Sequence, residues 1–412
     1  MRLLSLGLGL WAVSAIAQSP EYHTRREALI KTITDGTTVL FGTVEKDGDE
    51  IRSRFYQDPN FYYLTGWRQP GAVLLIDRHR QILFLPNHNP NREKWTGPLA
   101  GPDDAHIGEV TGFDTVLPIE RFETELRTSL DEQPKIYTVG ETSLARLQAF
   151  APLREVIDAR PTLARMRMRK SPAEVALLER TADATIAAHR AAWKRVAPGI
   201  YEYQVAATLV SVYLDLGCER SAYPPIVASG PDSVYLHYER NNRRLDPGDL
   251  LLIDAGAECA GYTADVTRTI PVDGKFTKRQ REIYDIVLGA EKAVIAAVKP
   301  GVAIGSPKTY SLYQVAYDYI NSHGKDLHGD SLGKYFTHGV SHQIGLEVHD
   351  ATDPFATLEE GMVISVEPGI YIPEENIGIR IEDMVLVSKD GARVLSGALA
   401  REPSDIEKAL AP

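Results

Sequence analysis

Residues 245–256 read Leu245-Asp246-Pro247-Gly248-Asp249-Leu250-Leu251-Leu252-Ile253-Asp254-Ala255-Gly256, and residues 358–369 read Leu358-Glu359-Glu360-Gly361-Met362-Val363-Ile364-Ser365-Val366-Glu367-Pro368-Gly369. The two align without a gap: Leu, an acid, any residue, Gly, five mostly apolar residues, an acid, any residue, Gly. Each position of the second copy lies 113 residues beyond its counterpart in the first. Each copy reads as a polar turn feeding a buried strand that ends in a carboxylate. A repeat of this kind implies two similar halves packed around a shared site.

A second acid follows each copy: Asp265 within Tyr262-Thr263-Ala264-Asp265-Val266-Thr267-Arg268-Thr269, and Glu382 within Ile379-Arg380-Ile381-Glu382-Asp383. Gly256 and Gly261 break the first connection, Gly369 and Gly378 the second, so both read as β-hairpins. Symmetric hairpins set Asp254 across from Asp265 and Glu367 across from Glu382. Like charges facing each other on a sheet are destabilising, and burial forces protonation unless something compensates. A pair of divalent cations compensates, since four charges of each sign cancel. The missing donor is a neutral imidazole. His338, His342 and His349 offer it from the glycine-broken segment 336–349, whose secondary structure stays open. His237 stands just upstream of the first copy, as His349 does of the second.

The rest of the chain is ordinary globular material: 412 residues, 43% hydrophobic and 25% charged, with a net charge of −11. That acidic balance argues against a nucleic-acid or anionic-membrane binder, which needs clustered Lys and Arg. Arg2, the apolar run Leu3–Val13 and the ending Ser14-Ala15-Ile16-Ala17 describe a secretory signal over 1–17, with a mature chain from Gln18. No other run has transmembrane length, so an exported protein, periplasmic or secreted, is expected. Cys218 and Cys259 are too few for a disulfide framework and read as isolated buried thiols. A short helix over residues 24–34 comes next. Strand-length runs follow at Thr38–Gly42, Ala72–Ile76, Gln81–Pro86 and Lys135–Val139, with a helix at Ser143–Ala151. They form a small α/β domain ending near residue 160. Ser171-Pro172-Ala173-Glu174 is a capping box that starts a long Ala-rich helix running to about Val196.

On these motifs, and on Leu236-His237-Tyr238 and Phe336–His349, residues 160–405 resemble the pita-bread metallopeptidases: methionine aminopeptidase, prolidase and Xaa-Pro aminopeptidase (aminopeptidase P). Phe55-Tyr56-Gln57-Asp58-Pro59-Asn60-Phe61-Tyr62-Tyr63-Leu64-Thr65-Gly66 resembles the N-terminal domain of aminopeptidase P and prolidase. The overall resemblance is to bacterial aminopeptidase P. It implies an α/β (α+β) protein: a signal peptide at 1–17, an N-terminal α/β domain at 18–160, and a pita-bread domain with pseudo-twofold halves at 161–412. Carried over by position, the metal ligands are Asp254, Asp265, His342, Glu367 and Glu382. The resemblance picks His342 because it sits in a Ser-His-x-x-Gly pattern seven residues before His349. It favours two Mn²⁺ ions; by donor type Co²⁺, Fe²⁺ or Zn²⁺ also suit the set.

The implied reaction cuts the bond between an N-terminal residue and a following proline, by attack of a hydroxide held between the ions. His349 would stabilise the oxyanion, Glu367 would shuttle the proton, and His237 and His338 would bond the substrate. Arg380 is either a counter-ion for Glu382 or part of the proline pocket. The expected partners are peptides with proline second, and a homo-oligomer is expected. Tyr62, Tyr63 and Trp67 read as core rather than as a wall of the site. A prolidase acting only on Xaa-Pro dipeptides is the alternative. A metal-free creatinase-like enzyme or a non-catalytic binding module would lack ligands, and none is missing.

Overall fold

The apolar runs of the first third build one sheet. The computed structural model describes residues 20–45, 54–305 and 310–411, so the signal read from residues 1–17 lies outside them. The chain divides into two compact units between Ala164 and Arg165.

In the first unit, strands β1 (Gly36–Phe41), β2 (Val73–Ile76), β3 (Gln81–Leu85), β4 (Thr115–Pro118), β5 (Lys135–Thr138) and β6 (Glu155–Asp158) form a mixed sheet in the order β4-β3-β2-β1-β5-β6. The four inner strands are the apolar runs visible in the sequence. Their side chains Val39, Leu75, Phe84 and Ile136 pack with Leu126 and Leu130 of the helix Phe122–Glu132 into one core. The edge strands β4 and β6 are half-buried, each exposed at its first residue, with Leu117 and Val156 packed against the same core. Tyr62, Tyr63 and Trp67 are core residues of this unit.

The second unit consists of two similar halves. Ser171 caps the helix Pro172–Trp193 with the reciprocal Glu174 bond of a capping box, and that helix packs on Glu202–Asp215. In the second half, Lys278–Ala297 packs on Leu312–Ser322 in the same way. The strands of the first half are β7 (Arg220–Ser221), β8 (Ile226–Ser229), β9 (Leu250–Ala255), β10 (Ala257–Cys259), β11 (Tyr262–Thr263) and β12 (Val266–Pro271). Those of the second are β13 (Val363–Val366), β14 (Gly369–Ile372), β15 (Ile377–Arg380), β16 (Asp383–Ser388) and β17 (Gly391–Val394). The repeat is structural: Gly248 and Gly361, equivalent positions in the turns before β9 and β13, both adopt positive φ, 84° and 91°.

The hairpin registers differ from the symmetric expectation in one case. In the second hairpin Val366 pairs with Asp383 and Gly369 with Arg380, so Glu367 and Glu382 do face each other, in the break between two ladders. In the first, Asp254 pairs with Thr267, not Asp265. The turn is centred on Ala260-Gly261, both at positive φ, which shifts every partner by two residues. Asp265 thereby falls beside Gly256, two residues along the strand from Asp254.

The cysteines are also paired, contrary to the expectation of free thiols: Cys218 and Cys259 form a disulfide, Cα–Cα 4.3 Å. The pairing of Glu258 with Arg220 brings the end of β10 beside the residues that follow the helix Glu202–Asp215. Closing a 41-residue separation restricts the unfolded chain by about 4 kcal/mol in the chain-entropy picture. The Cys218→Ser, Cys259→Ser double variant is therefore expected to unfold at clearly lower urea concentration than the oxidised protein. A reductant-insensitive, unshifted midpoint would contradict a stabilising role.

Candidate active site

The two hairpins and the segment between them surround one cavity of about 410 Å³. Every residue singled out from the sequence lines it: His237, Asp254, Asp265, His338, His342, His349, Glu367, Arg380 and Glu382. Asp254 comes from β9, Asp265 from the residue before β12, Glu367 from the residue after β13 and Glu382 from the residue before β16. His342 sits on the irregular segment, held by its backbone N–H to the Ser365 hydroxyl at 2.9 Å and by the Gln343–Ile364 bridge. Register in two hairpins thus converts four positions scattered over the sequence into one cluster.

The donors converge. Ligand atoms of Asp265, His342 and Glu382 lie within 4.8 Å of one another, a grouping able to hold a metal ion. His342 Nε2 is 3.4 Å from both Asp265 and Glu367 carboxylate oxygens. Its Nδ1 faces the Gln343 carbonyl at 3.1 Å. An Nδ1–H donated there leaves an Nε2 lone pair among carboxylates, an arrangement that requires a proton or a metal. Although burial lowers it, Asp265 and Glu367 push the His342 ring up to about 9.

The carboxylates report the same strain. Burial, and then the neighbouring acids, raise Asp265, push Glu367 up to about 7 and hold Glu382 well above the ordinary range. Asp254 is the exception: burial works against it, but Arg380 holds it below the usual value. Glu382 Oε2 accepts from Thr267 at 2.7 Å, whereas its buried Oε1 has no hydrogen-bond partner among the described residues. The Tyr223 hydroxyl contacts Asp254 at 2.5 Å and also Asp265. A phenol has one proton, so it satisfies one of these oxygens and sets lone pairs against each other at the second unless a cation is present. An orphan buried oxygen, crowded carboxylates and an imidazole lone pair aimed among them fit divalent metal binding.

Arg380 is a counter-ion, but for Asp254 (2.5 Å) rather than for Glu382. It also donates to the Tyr371 hydroxyl at 2.8 Å, and Tyr371 contacts His338 Nε2 at 2.8 Å. His338 Nδ1 bonds the Gly339 carbonyl at 2.7 Å. Burial and then Arg380 pull this ring down to about 4, so it is neutral at pH 7. Both of its nitrogens are committed to the protein. His237 and His349 are solvent-exposed at the cavity. Three site residues went unread in the sequence: Tyr223, Thr267 and Tyr371. Thr267 was legible in principle, two residues beyond Asp265 on the same strand face; Tyr223 and Tyr371 carry no local signal.

A family model described as metallopeptidase family M24 matches residues 176–389, and one described as the aminopeptidase P N-terminal domain matches residues 22–137. The chain is 35% identical to the Xaa-Pro aminopeptidase of Haemophilus influenzae, covering 94% of this chain and 96% of that protein. It is 34% identical to the Xaa-Pro aminopeptidase of Escherichia coli over the same shares. The solved structure of proline aminopeptidase P II from Yersinia pestis superposes with a TM-score of 0.83 at 32% identity, covering 95% of this chain and 99% of that one.

Proposed function

The chain belongs to metallopeptidase family M24, and from that premise we propose that it is a proline-specific aminopeptidase that hydrolyses the bond between an N-terminal residue and a following proline. The observation that carries the proposal is the convergence of Asp254, Asp265, His342, Glu367 and Glu382 on one cavity, in a full-length relative of Xaa-Pro aminopeptidases. Relatives named for aminopeptidase activity over nearly the whole chain favour this reading over a dipeptidase.

The five residues are proposed to hold two divalent ions. Four carboxylates and one imidazole suit Mn²⁺, Fe²⁺, Co²⁺ or Zn²⁺, and manganese is proposed from the resemblance to aminopeptidase P. Ions held there supply a water acidic enough to ionise near neutral pH and a Lewis acid for the scissile carbonyl. The protein's own groups do the rest. His349, free at the cavity, donates to the carbonyl oxygen as it gains charge. Glu367, facing the cavity beside His342, takes a proton and returns it to the departing nitrogen. Arg380, Tyr371 and neutral His338 form a fixed chain of bonds that shapes the wall. An Xaa-Pro bond has no N–H, and none of these roles needs one.

Export is proposed with the function. The Cys218–Cys259 bond supports it, since disulfides persist in oxidising compartments.

Purified protein with Mn²⁺ is expected to cleave Ala-Pro-Ala at least tenfold faster than the dipeptide Ala-Pro, to stop on chelation, and to recover when Mn²⁺ is restored. Turnover restricted to the dipeptide would make it a prolidase; turnover indifferent to chelator would remove the metal from the reaction.

A further inference from the structure

The cavity holds one carboxylate that the chemistry above does not use. Glu239 lines it, two residues beyond His237 on the loop that follows Tyr235. It is exposed, and among the described residues its carboxylate has no hydrogen bond or ion pair. The other four acids of the lining are the proposed ion ligands, and the one arginine, Arg380, is buried against Asp254. Arg240, next in the chain, is not part of the lining. Once the ligand carboxylates are neutralised by divalent ions, Glu239 is the negative charge left uncommitted in the cavity. The lining also contributes the apolar surfaces of Pro224, Ile226, Leu236 and Val348.

Apolar walls with one solvent-accessible carboxylate match a side chain with an apolar stem and a cationic head, which is the chemistry of lysine and arginine. We propose that Glu239 is a specificity-determining residue that favours substrates whose first residue, the one released, is basic. This rests on the aminopeptidase reading and deepens it: cleavage before proline is common to all substrates, and Glu239 ranks them by the residue before the proline. An ion pair open to water is worth little in isolation, so the bias is modest, about three- to tenfold, and shrinks as salt rises.

The test is the ratio of kcat/KM for Arg-Pro-Ala to that for Leu-Pro-Ala and for Glu-Pro-Ala, in wild type, Glu239→Gln and Glu239→Lys with Mn²⁺ present. Ratios are used because they do not depend on the fraction of active enzyme. Wild type is expected to prefer Arg-Pro-Ala, by about three- to tenfold over Glu-Pro-Ala at low salt. Glu239→Gln is expected to bring the ratios toward one, and Glu239→Lys to favour Glu-Pro-Ala. Ratios unchanged by both substitutions would overturn the proposal, including the case in which all three substrates slow equally because the carboxylate holds the shared α-ammonium. Failure of wild type to cleave any of the three would instead overturn the aminopeptidase reading, and the proposal with it.

Discussion

Asp265→Ala and Glu367→Ala proteins are expected to lose turnover of Xaa-Pro tripeptides by about a thousandfold or more, a barrier increase of about 4 kcal/mol, while remaining folded. The combination is the informative part. Ordinarily the loss of a buried charged side chain costs stability because a partner is stranded. Here most of the partners are other carboxylates, with the His342 ring as the one opposing charge, and the raised Asp265, Glu367 and Glu382 groups show that their ionised forms are disfavoured even so. For a carboxylate whose folded value lies above its unfolded value, ionisation opposes folding, so the penalty is present at neutral pH and relieved as pH falls. Removing one such acid in chelator relieves that penalty but also takes a partner from the His342 ring, so thermal stability should change little. With Mn²⁺ present the order reverses: wild type gains stability from an ion that binds only the folded state, and the variants lose much of that gain. Melting curves with chelator and with Mn²⁺, alongside kcat/KM, separate the cases. A variant that loses stability equally in both conditions would mark Asp265 as structural; one that keeps full turnover would remove it from the site.

Much of this site is legible in the sequence because its parts obey simple periods. The turn-strand-acid repeat fixes the spacing of Asp254 and Glu367, and the matching positive φ at Gly248 and Gly361 shows why glycine recurs there. Where the reading slipped, a different force decided. Asp254 was set against Asp265 by assuming a midpoint between them. The turn falls one residue later, at Ala260-Gly261, and an alanine at positive φ gives no warning of that. Strands β4 and β6 carry too short a signal: each is four residues long and half-buried, with Leu117 and Val156 the side chains that reach the core. The choice of His342 over His338 came from resemblance alone. Its physical basis is three-dimensional: His338 spends both nitrogens on Gly339 and Tyr371, whereas His342 turns one toward the acids. Cys218 and Cys259 became partners only through the pairing of β10 with β7, a contact between segments about forty residues apart that no local pattern encodes.

The second large effect concerns a residue with no role in the chemistry. Arg268→Ala is expected to prevent stable folding of the second unit, and Arg268→Lys to destabilise it by about 3 kcal/mol. Arg268 is fully buried, and all five of its N–H donors are used. Nε bonds the Ala400 carbonyl at 3.1 Å. One terminal nitrogen bonds the Thr267 and Glu382 carbonyls at 2.9 and 2.6 Å, and the other Asp383 at 2.8 Å and the Leu399 carbonyl at 3.2 Å. It therefore ties β12 to the first residues of β16 and to the segment just before the last helix, Pro403–Leu410. Alanine would strand the Ala400, Glu382 and Leu399 carbonyls, the Thr267 carbonyl keeping the Glu382 N–H, and leave Asp383 beside Glu291, whose carboxyl burial and Asp383 already hold far above normal, with Arg401 as the remaining cation. Losses of that kind, at about 1–3 kcal/mol for each unpaired polar group and more for a charged one, are of the same order as the 5–15 kcal/mol that a domain typically has in total. Lysine keeps the charge but offers three donors from one point, so at least two acceptors go unpaired. Because one of the five bonds holds the backbone of Glu382, the lysine protein should also bind Mn²⁺ more weakly by calorimetry, even at temperatures where circular dichroism reports a native fold. Wild-type urea midpoint and Mn²⁺ affinity in Arg268→Lys would show that the charge alone, rather than the five-point geometry, holds the two hairpins in place.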